Sequence, residues 1–273
     1  MRLELHCHTY YSKGSKIPWE SLSSPKDVIK TAKRKGLDGI AITDHRTTKA
    51  WKEAKQEAKK QGLLFIPGVE LDTKDGHLIA LGINESIENR LSLMETIDII
   101  HSQGGIVVAP HPYDIKGEGI KNGIKYVDVV EVFNSLNLDK FSNYIALKRA
   151  KLFGKPMCAG SDAHSLEMIA NSVNIIKGHN ADSVLKNLKK GNTSFVCRYA
   201  QAEDVVNWVR GRMKMSYTDI LRYVDENYWG MKAALSKIML NRFVNSDNPA
   251  WITLAKFSLG ISCIYGAFKV LTY

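Results

Sequence analysis

Through its first 200 residues short apolar runs alternate with helical patterns. The apolar runs Leu3–His8, Gly39–Thr43, Leu63–Leu71, His77–Gly82, Ile106–Ala109, Val127–Phe133 and Met157–Ser161 read as strands. Helices are expected from Ser24 and Pro25 to Lys35, and over Lys49–Gln61, Leu91–Gln103, Lys140–Phe153 and Ala181–Lys190. Strands separated by helices imply parallel pairing through crossovers. About seven strands in this length fit an α/β barrel better than an open sheet, and such barrels place their chemistry at the C-terminal strand ends.

From Gln201 the rhythm becomes purely helical, with helices expected over Val205–Met213, Tyr217–Tyr228 and Ala233–Val244. The chain therefore divides into a barrel over 1–200 and a basic helical extension over 201–273. The net charge is +10, and residues 205–273 carry nine basic and four acidic side chains. This favours anionic partners: phosphates, nucleic acid or acidic lipid. Phe257–Phe268 contains twelve uncharged, mostly apolar residues, too few to cross a bilayer, which needs about 20. A membrane-surface or dimer contact through residues 249–273 is the expectation there. Cys7, Cys158, Cys197 and Cys263 form no CxxC pair, and the N-terminus has no basic-then-apolar signal segment. Reduced thiols in a cytoplasmic protein, with a peripheral membrane contact as an option, are expected.

Ionisable residues recur where strands meet loops. His6 and His8 are two apart on one strand and face the same side, whereas Cys7 faces away. Asp44 and His45 end a second strand, Glu70 a third, and His111 another; His77 opens the run that follows Gly76. Asp162 and His164 end the last. Burying so many ionisable groups without partners costs several kcal/mol each, and shared cations remove that cost. Imidazole and carboxylate donors without a thiolate suit zinc, iron or manganese rather than a zinc finger. His101 and His179 fall outside this pattern and read as surface residues.

The ordered set His6-Cys7-His8, Thr43-Asp44-His45, Gly68-Val69-Glu70, His77, His111-Pro112 and Gly160-Ser161-Asp162-Ala163-His164 resembles the PHP (polymerase and histidinol phosphatase) family of metal-dependent phosphoesterases. The resemblance covers roughly residues 1–200. It implies a distorted (β/α)7 TIM-like barrel with the helical extension outside the motifs. It further implies two or three divalent ions (Zn, Mn or Fe). His6, His8, Glu70 and Asp162 would hold one; Glu70 would bridge to a second with His77 and His111; His45 and His164 would hold a third. Asp44 would support the ligands and, with Arg46, serve the catalytic step. Many members carry an aspartate shortly after the HxH pair as a third-metal ligand, but this chain has Lys13-Gly14 there. The third site would then lack a carboxylate, and Lys13 could meet a substrate phosphate instead.

The function implied is hydrolysis of a phosphate ester by a metal-activated water, on a small molecule such as a nucleotide or on a nucleic-acid end. Arg46, Lys13, Lys16 and Lys116 are candidate phosphate contacts. Asn134, at the end of Val130–Asn134, is a candidate substrate contact, and Glu131 could orient a ligand histidine. Two other classes compete with this reading. An amidohydrolase would present a strand-end lysine, which the chain lacks; a metal-binding RNA or protein scaffold would show eroded ligands.

Overall fold

The computed structural model of the chain describes residues 1–14 and 17–270, so the candidate Lys16 lies outside the described residues. In chain order the first elements are β1 (Arg2–Glu4), α1 (Pro25–Arg34), β2 (Gly39–Ile42), α2 (Trp51–Gln61), β3 (Leu64–Asp72), β4 (His77–Leu81), α3 (Leu93–Ser102), β5 (Ile106–Ala109), β6 (Val129–Asn134), α4 (Phe141–Leu152) and β7 (Met157–Gly160). There follow β8 (Ser172–Ile176), α5 (Ala181–Lys189), β9 (Thr193–Cys197), α6 (Ala202–Met215), α7 (Tyr217–Asn227), α8 (Gly230–Val244) and α9 (Ala250–Val270). Local chemistry sets the helix ends. Ser24 caps α1 by accepting from Asp27 N, with Pro25 in the first turn. Ser92 and Glu95 form a capping box on α3.

The strands form one sheet in the order β7-β6-β5-β4-β3-β2-β1-β8-β9, and it curls nearly shut. β2 and β5 are buried along their whole length, as their unbroken apolar runs require when both faces are covered. The seam is closed twice. The Asn174 side chain substitutes for a strand ladder, donating Nδ2 to Ala159 O (2.7 Å) and accepting from Ala159 N on Oδ1 (2.9 Å). Just past β1 and β7, Cys7 and Ala163 pair in parallel, with His8 N donating to Ala163 O at 2.9 Å. This pairing completes the distorted seven-stranded barrel, with the helices outside.

Two details differ from the sequence reading. Pairing is not uniformly parallel: β3–β4 and β4–β5 are antiparallel, as are β1–β8 and β8–β9. The connector 73–76 between β3 and β4 is too short for a crossover. β4 therefore begins at the barrel end where the parallel strands finish, and His77 reaches the shared rim by opening a strand. In addition, β8 and β9 form an antiparallel pair joined through α5, with no sequence counterpart, and β9 alternates partly buried and exposed residues at the sheet margin.

The helical extension is not detached. Val205 and Trp208 of α6 pack against the core between α1, α2 and β2. Trp208 Nε1 donates to Glu20 O (2.7 Å), Arg212 Nε to Trp19 O (3.0 Å), and Trp19 N to Ser216 Oγ (3.2 Å). α9 rests on the barrel by one narrow face, where Gly266 is buried and Cys263 Sγ approaches Leu138 O at 3.6 Å. Its outer side presents Leu254, Phe257, Ile261, Ile264, Tyr265 and Phe268, all exposed. α9 is long and apolar enough to span a membrane by length and composition, through Ala250–Phe268.

Candidate metal centre

All eight ligand-type residues picked out in the sequence converge on one rim. Glu70, fully buried on β3, is the hub. Its Oε1 lies 3.1 Å from His77 Nδ1 and 3.1 Å from His111 Nε2. Its Oε2 lies 3.2 Å from His6 Nε2, 3.4 Å from His8 Nε2 and 3.6 Å from His45 Nε2. Two imidazoles thus attend Oε1 and three attend Oε2, so each oxygen faces its own histidines, as a bridging carboxylate needs. Asp162 Oδ1 closes on the same two imidazoles, 3.3 Å from His6 Nε2 and 3.2 Å from His8 Nε2. The rings of His45 and His164 flank His8 at 4.8 Å and 4.3 Å, and the donor atoms of these three histidines lie within 4.8 Å of one another.

A surrounding layer fixes which nitrogen faces inward. Glu131 Oε1 accepts from His6 Nδ1 at 2.9 Å, which fixes that proton and leaves Nε2, toward Glu70, as the nitrogen a cation would take. Ser12 spends its one hydroxyl proton on Asp44 Oδ1 (3.1 Å), so His8 Nδ1 must be the donor in its 3.0 Å contact with Ser12 Oγ. His164 Nδ1 donates to Asp162 O at 2.8 Å. His8 Nε2 is buried without a hydrogen-bond partner. An inward lone pair left this way fits a cation better than a solvated polar pair.

The charge state is tuned to match. Burial alone would raise Glu70, but the imidazoles of His45 and His6 and the hydrogen bonds from His111 and His6 hold it well below the ordinary carboxylate range. Asp162 behaves likewise: burial is outweighed by His6, His8 and His164. Burial disfavours charge on His111, yet the Glu70 hydrogen bond and charge push it up to about 9. Burial pushes His164 down to about 3, aided by His8, and holds His45 well below its ordinary value. Two ionised carboxylates beside imidazoles, of which His45 and His164 are held neutral and His111 gives up its proton to an ion, form a donor set suited to divalent zinc, manganese or iron. His111, Asp162 and Arg46 all sit at positive φ (28°, 51° and 59°), so three of the residues at this rim hold a costly backbone conformation.

Several expectations change here. Asn134 is buried, donating Nδ2 to Glu131 Oε2 (2.9 Å) and Asp162 Oδ2 (3.3 Å) while Oδ1 accepts from Leu136 N. It stands behind the ligands, not against substrate. Asp44 is fully buried under Thr9 and Ser12, which makes it a support for His8 and not a group in reach of substrate. Lys13 does not reach the cavity: its ammonium lies 3.1 Å from the centroid of the Trp19 ring. The carboxylate missing after the HxH pair has a spatial substitute in Glu20, whose Oε2 is 3.8 Å from His45 Nε2. Arg46 and Lys116 do line the cavity, which measures about 180 Å³. Arg46 is paired with Asp72 at 2.8 Å, and Lys116 with Glu118 at 3.7 Å. Trp208 and Arg212 line it too and were missed, because they belong to a helix outside every motif. His101 pairs with Asp128 at 2.8 Å, away from the cluster.

The comparisons agree with this geometry. A PHP-associated family model matches residues 140–193. An uncharacterized protein of Methanocaldococcus jannaschii is 39% identical over 156 residues, covering 55% of this chain and 91% of that protein. A 5'-3' exoribonuclease of Haemophilus influenzae is 25% identical over 125 residues, covering 41% of this chain and 43% of that protein. In fold, a two-domain Bacteroides vulgatus protein described as containing a PHP-like metal-dependent phosphoesterase superposes with a TM-score of 0.59 at 16% identity, over 78% of this chain and 69% of that one. The chain belongs to the PHP family, a family of metal-dependent phosphoesterases.

Proposed function

We propose that the chain hydrolyses a phosphate ester at two or three divalent ions, Zn, Mn or Fe, with water as nucleophile. The observation that carries this is Glu70, with two imidazoles on Oε1, three on Oε2, and Asp162 facing the same His6 and His8. His6, His8, Glu70 and Asp162 would hold one ion; Glu70, His77 and His111 a second; and His45 and His164, with Glu20 nearby, a third. Ions held there supply Lewis acidity and a nucleophile at neutral pH. The protein's own part is positional. Glu131, Ser12 and the Asp162 carbonyl aim the imidazoles, and Arg46 and Lys116 present positive charge to a phosphate entering the cavity. A nucleotide-like phosphoester or a nucleic-acid end is the substrate class that the exoribonuclease relative supports. Four free thiols support a reducing compartment, the cytoplasm.

The test is turnover of chromogenic phosphomonoesters and diesters with and without Mn²⁺, followed by mononucleotides and short oligonucleotides, alongside elemental analysis. His8→Ala and Glu70→Ala should lower turnover by orders of magnitude with the fold retained, whereas His101→Ala should change little. Full activity in metal-free protein, or equal loss in all three variants, refutes the reading.

A further inference from the structure

The extension's first helix places a cation in the metal cavity. Trp208 and Arg212 are four residues apart and share a face of α6. The Trp208 ring lies 4.8 Å from that of His164, and the Arg212 guanidinium lies 5.4 Å from the Trp208 ring centroid. Nε is anchored on Trp19 O, which fixes the half-buried guanidinium's direction. Its Nη2 lies against Gly14, where a Cβ would sit only 3.3 Å away, so the missing side chain leaves that end open to the cavity. The other two cations lining the cavity have carboxylate partners, Asp72 for Arg46 and Glu118 for Lys116. Arg212 has none within ion-pair distance among the described residues; the charge that acts on it, Glu20, stands farther off. A half-buried guanidinium fixed at one nitrogen and unpaired at the others matches a phosphate, which takes two parallel N–H donors.

We propose that Arg212, supplied by the C-terminal extension, is a phosphate-anchoring residue of the metal cavity, so that the extension completes the substrate site. The inference rests on the phosphoester reading for its place in turnover, but the anchor can be read without turnover. The metal-loaded full chain is titrated with inorganic phosphate by calorimetry, with metal content and circular dichroism measured on each variant. Arg212→Ala should weaken phosphate binding roughly 10- to 100-fold, the range for losing a charge-assisted pair, at unchanged metal content. Arg212→Gln, which keeps a donor for Trp19 O without the charge, should show the same loss and covers the case in which the alanine variant misfolds. Arg212→Lys should recover only part of the affinity, because an ammonium is a point charge. Arg210→Ala, whose guanidinium packs on Phe243, is the control. In ester assays the loss should fall on KM more than on kcat. Unchanged phosphate affinity in a folded, metal-loaded Arg212→Gln protein overturns the anchor, as does a loss of affinity that follows a loss of metal. A wild type that binds phosphate through Arg212 yet hydrolyses no ester refutes the proposed reaction and leaves the anchor standing.

Discussion

Glu131→Gln changes no volume and inverts one proton. In the native protein Glu131 Oε1 accepts from His6 Nδ1 (2.9 Å), and Oε2 accepts from His111 N (2.8 Å) and Asn134 Nδ2 (2.9 Å). A carboxylate can accept all three; an amide has one oxygen and one NH2. If the oxygen keeps the His111 and Asn134 donors, the NH2 faces His6 Nδ1 and forces the proton onto Nε2, the atom 3.2 Å from Glu70. If the amide flips, two donors meet a donor inside a buried site. The alternate position is also confined, since a Cβ on Gly160 would fall 1.8 Å from Glu131 Oε1, which shows how tightly this carboxylate is seated. Losing one orienting partner of a ligand histidine typically lowers metal affinity about 10- to 100-fold, or about 1.4–2.7 kcal/mol. Mn²⁺ titration against a fluorescent chelator measures this, with thermal melting as the fold control. Wild-type affinity in Glu131→Gln would show that His6 needs no fixed tautomer, and the orientation argument would fail.

Metal uptake should depend on pH in one direction. His111 holds its proton up to about 9, and against the effect of burial His6 is also raised by Asp162, Glu131 and Glu70, and His77 by Glu70. An incoming ion must expel those protons, so apparent affinity climbs with pH and levels near 9; calorimetry in buffers of different ionisation enthalpy counts the protons, and a flat profile contradicts it. In the metal-free protein the sign reverses: the stability His111 contributes is complete below its unfolded value and is lost as pH rises through about 9. Asn174→Ala orphans Ala159 N and O at the seam, and urea unfolding should report a loss of roughly 2–4 kcal/mol. Full stability would mean water or a shifted strand takes over the closure. The outer stripe of α9 lies in the last 46 residues, which hold five basic side chains and one acidic one. Sedimentation with anionic vesicles is expected for the full chain and should be lost in Phe257→Ser/Ile264→Ser; a dimer abolished by the same change, without vesicle binding, reassigns the stripe to a second copy.

The barrel was legible because fully covered strands must read as apolar runs, and β2 and β5 do. The ligands were legible because each sits where such a run stops or, for His77, where one starts. What hid were relations that chain order does not encode. β9 lacks the apolar signal because the margin of the sheet is half exposed, and the buried run of β8 is broken by Asn174, whose amide serves the seam. Asn134 looked available at a strand end, yet its amide is consumed by Glu131, Asp162 and Leu136. Lys13 looked placed for phosphate, yet an aromatic ring takes its ammonium. Trp208 and Arg212 lie in a helix whose pattern is ordinary, and only its docking on the loop at Trp19 and Glu20 brings them to the cavity.

The Cys7–Ala163 pairing that shuts the barrel lies between His6 and His8 on one side and Asp162 and His164 on the other. An ion held by both sets is therefore a clasp across the seam, joining positions 156 residues apart (162 − 6). During synthesis, the clasp cannot form until residue 164 has emerged, so the nascent chain cannot collect its full metal complement early. Once formed, occupancy at about 100 times the dissociation constant adds about 2.7 kcal/mol to the closed state. Metal supply then governs how long the seam stays shut, and a chelated protein should exchange the His8 and Ala163 amide protons faster than the rest of the barrel.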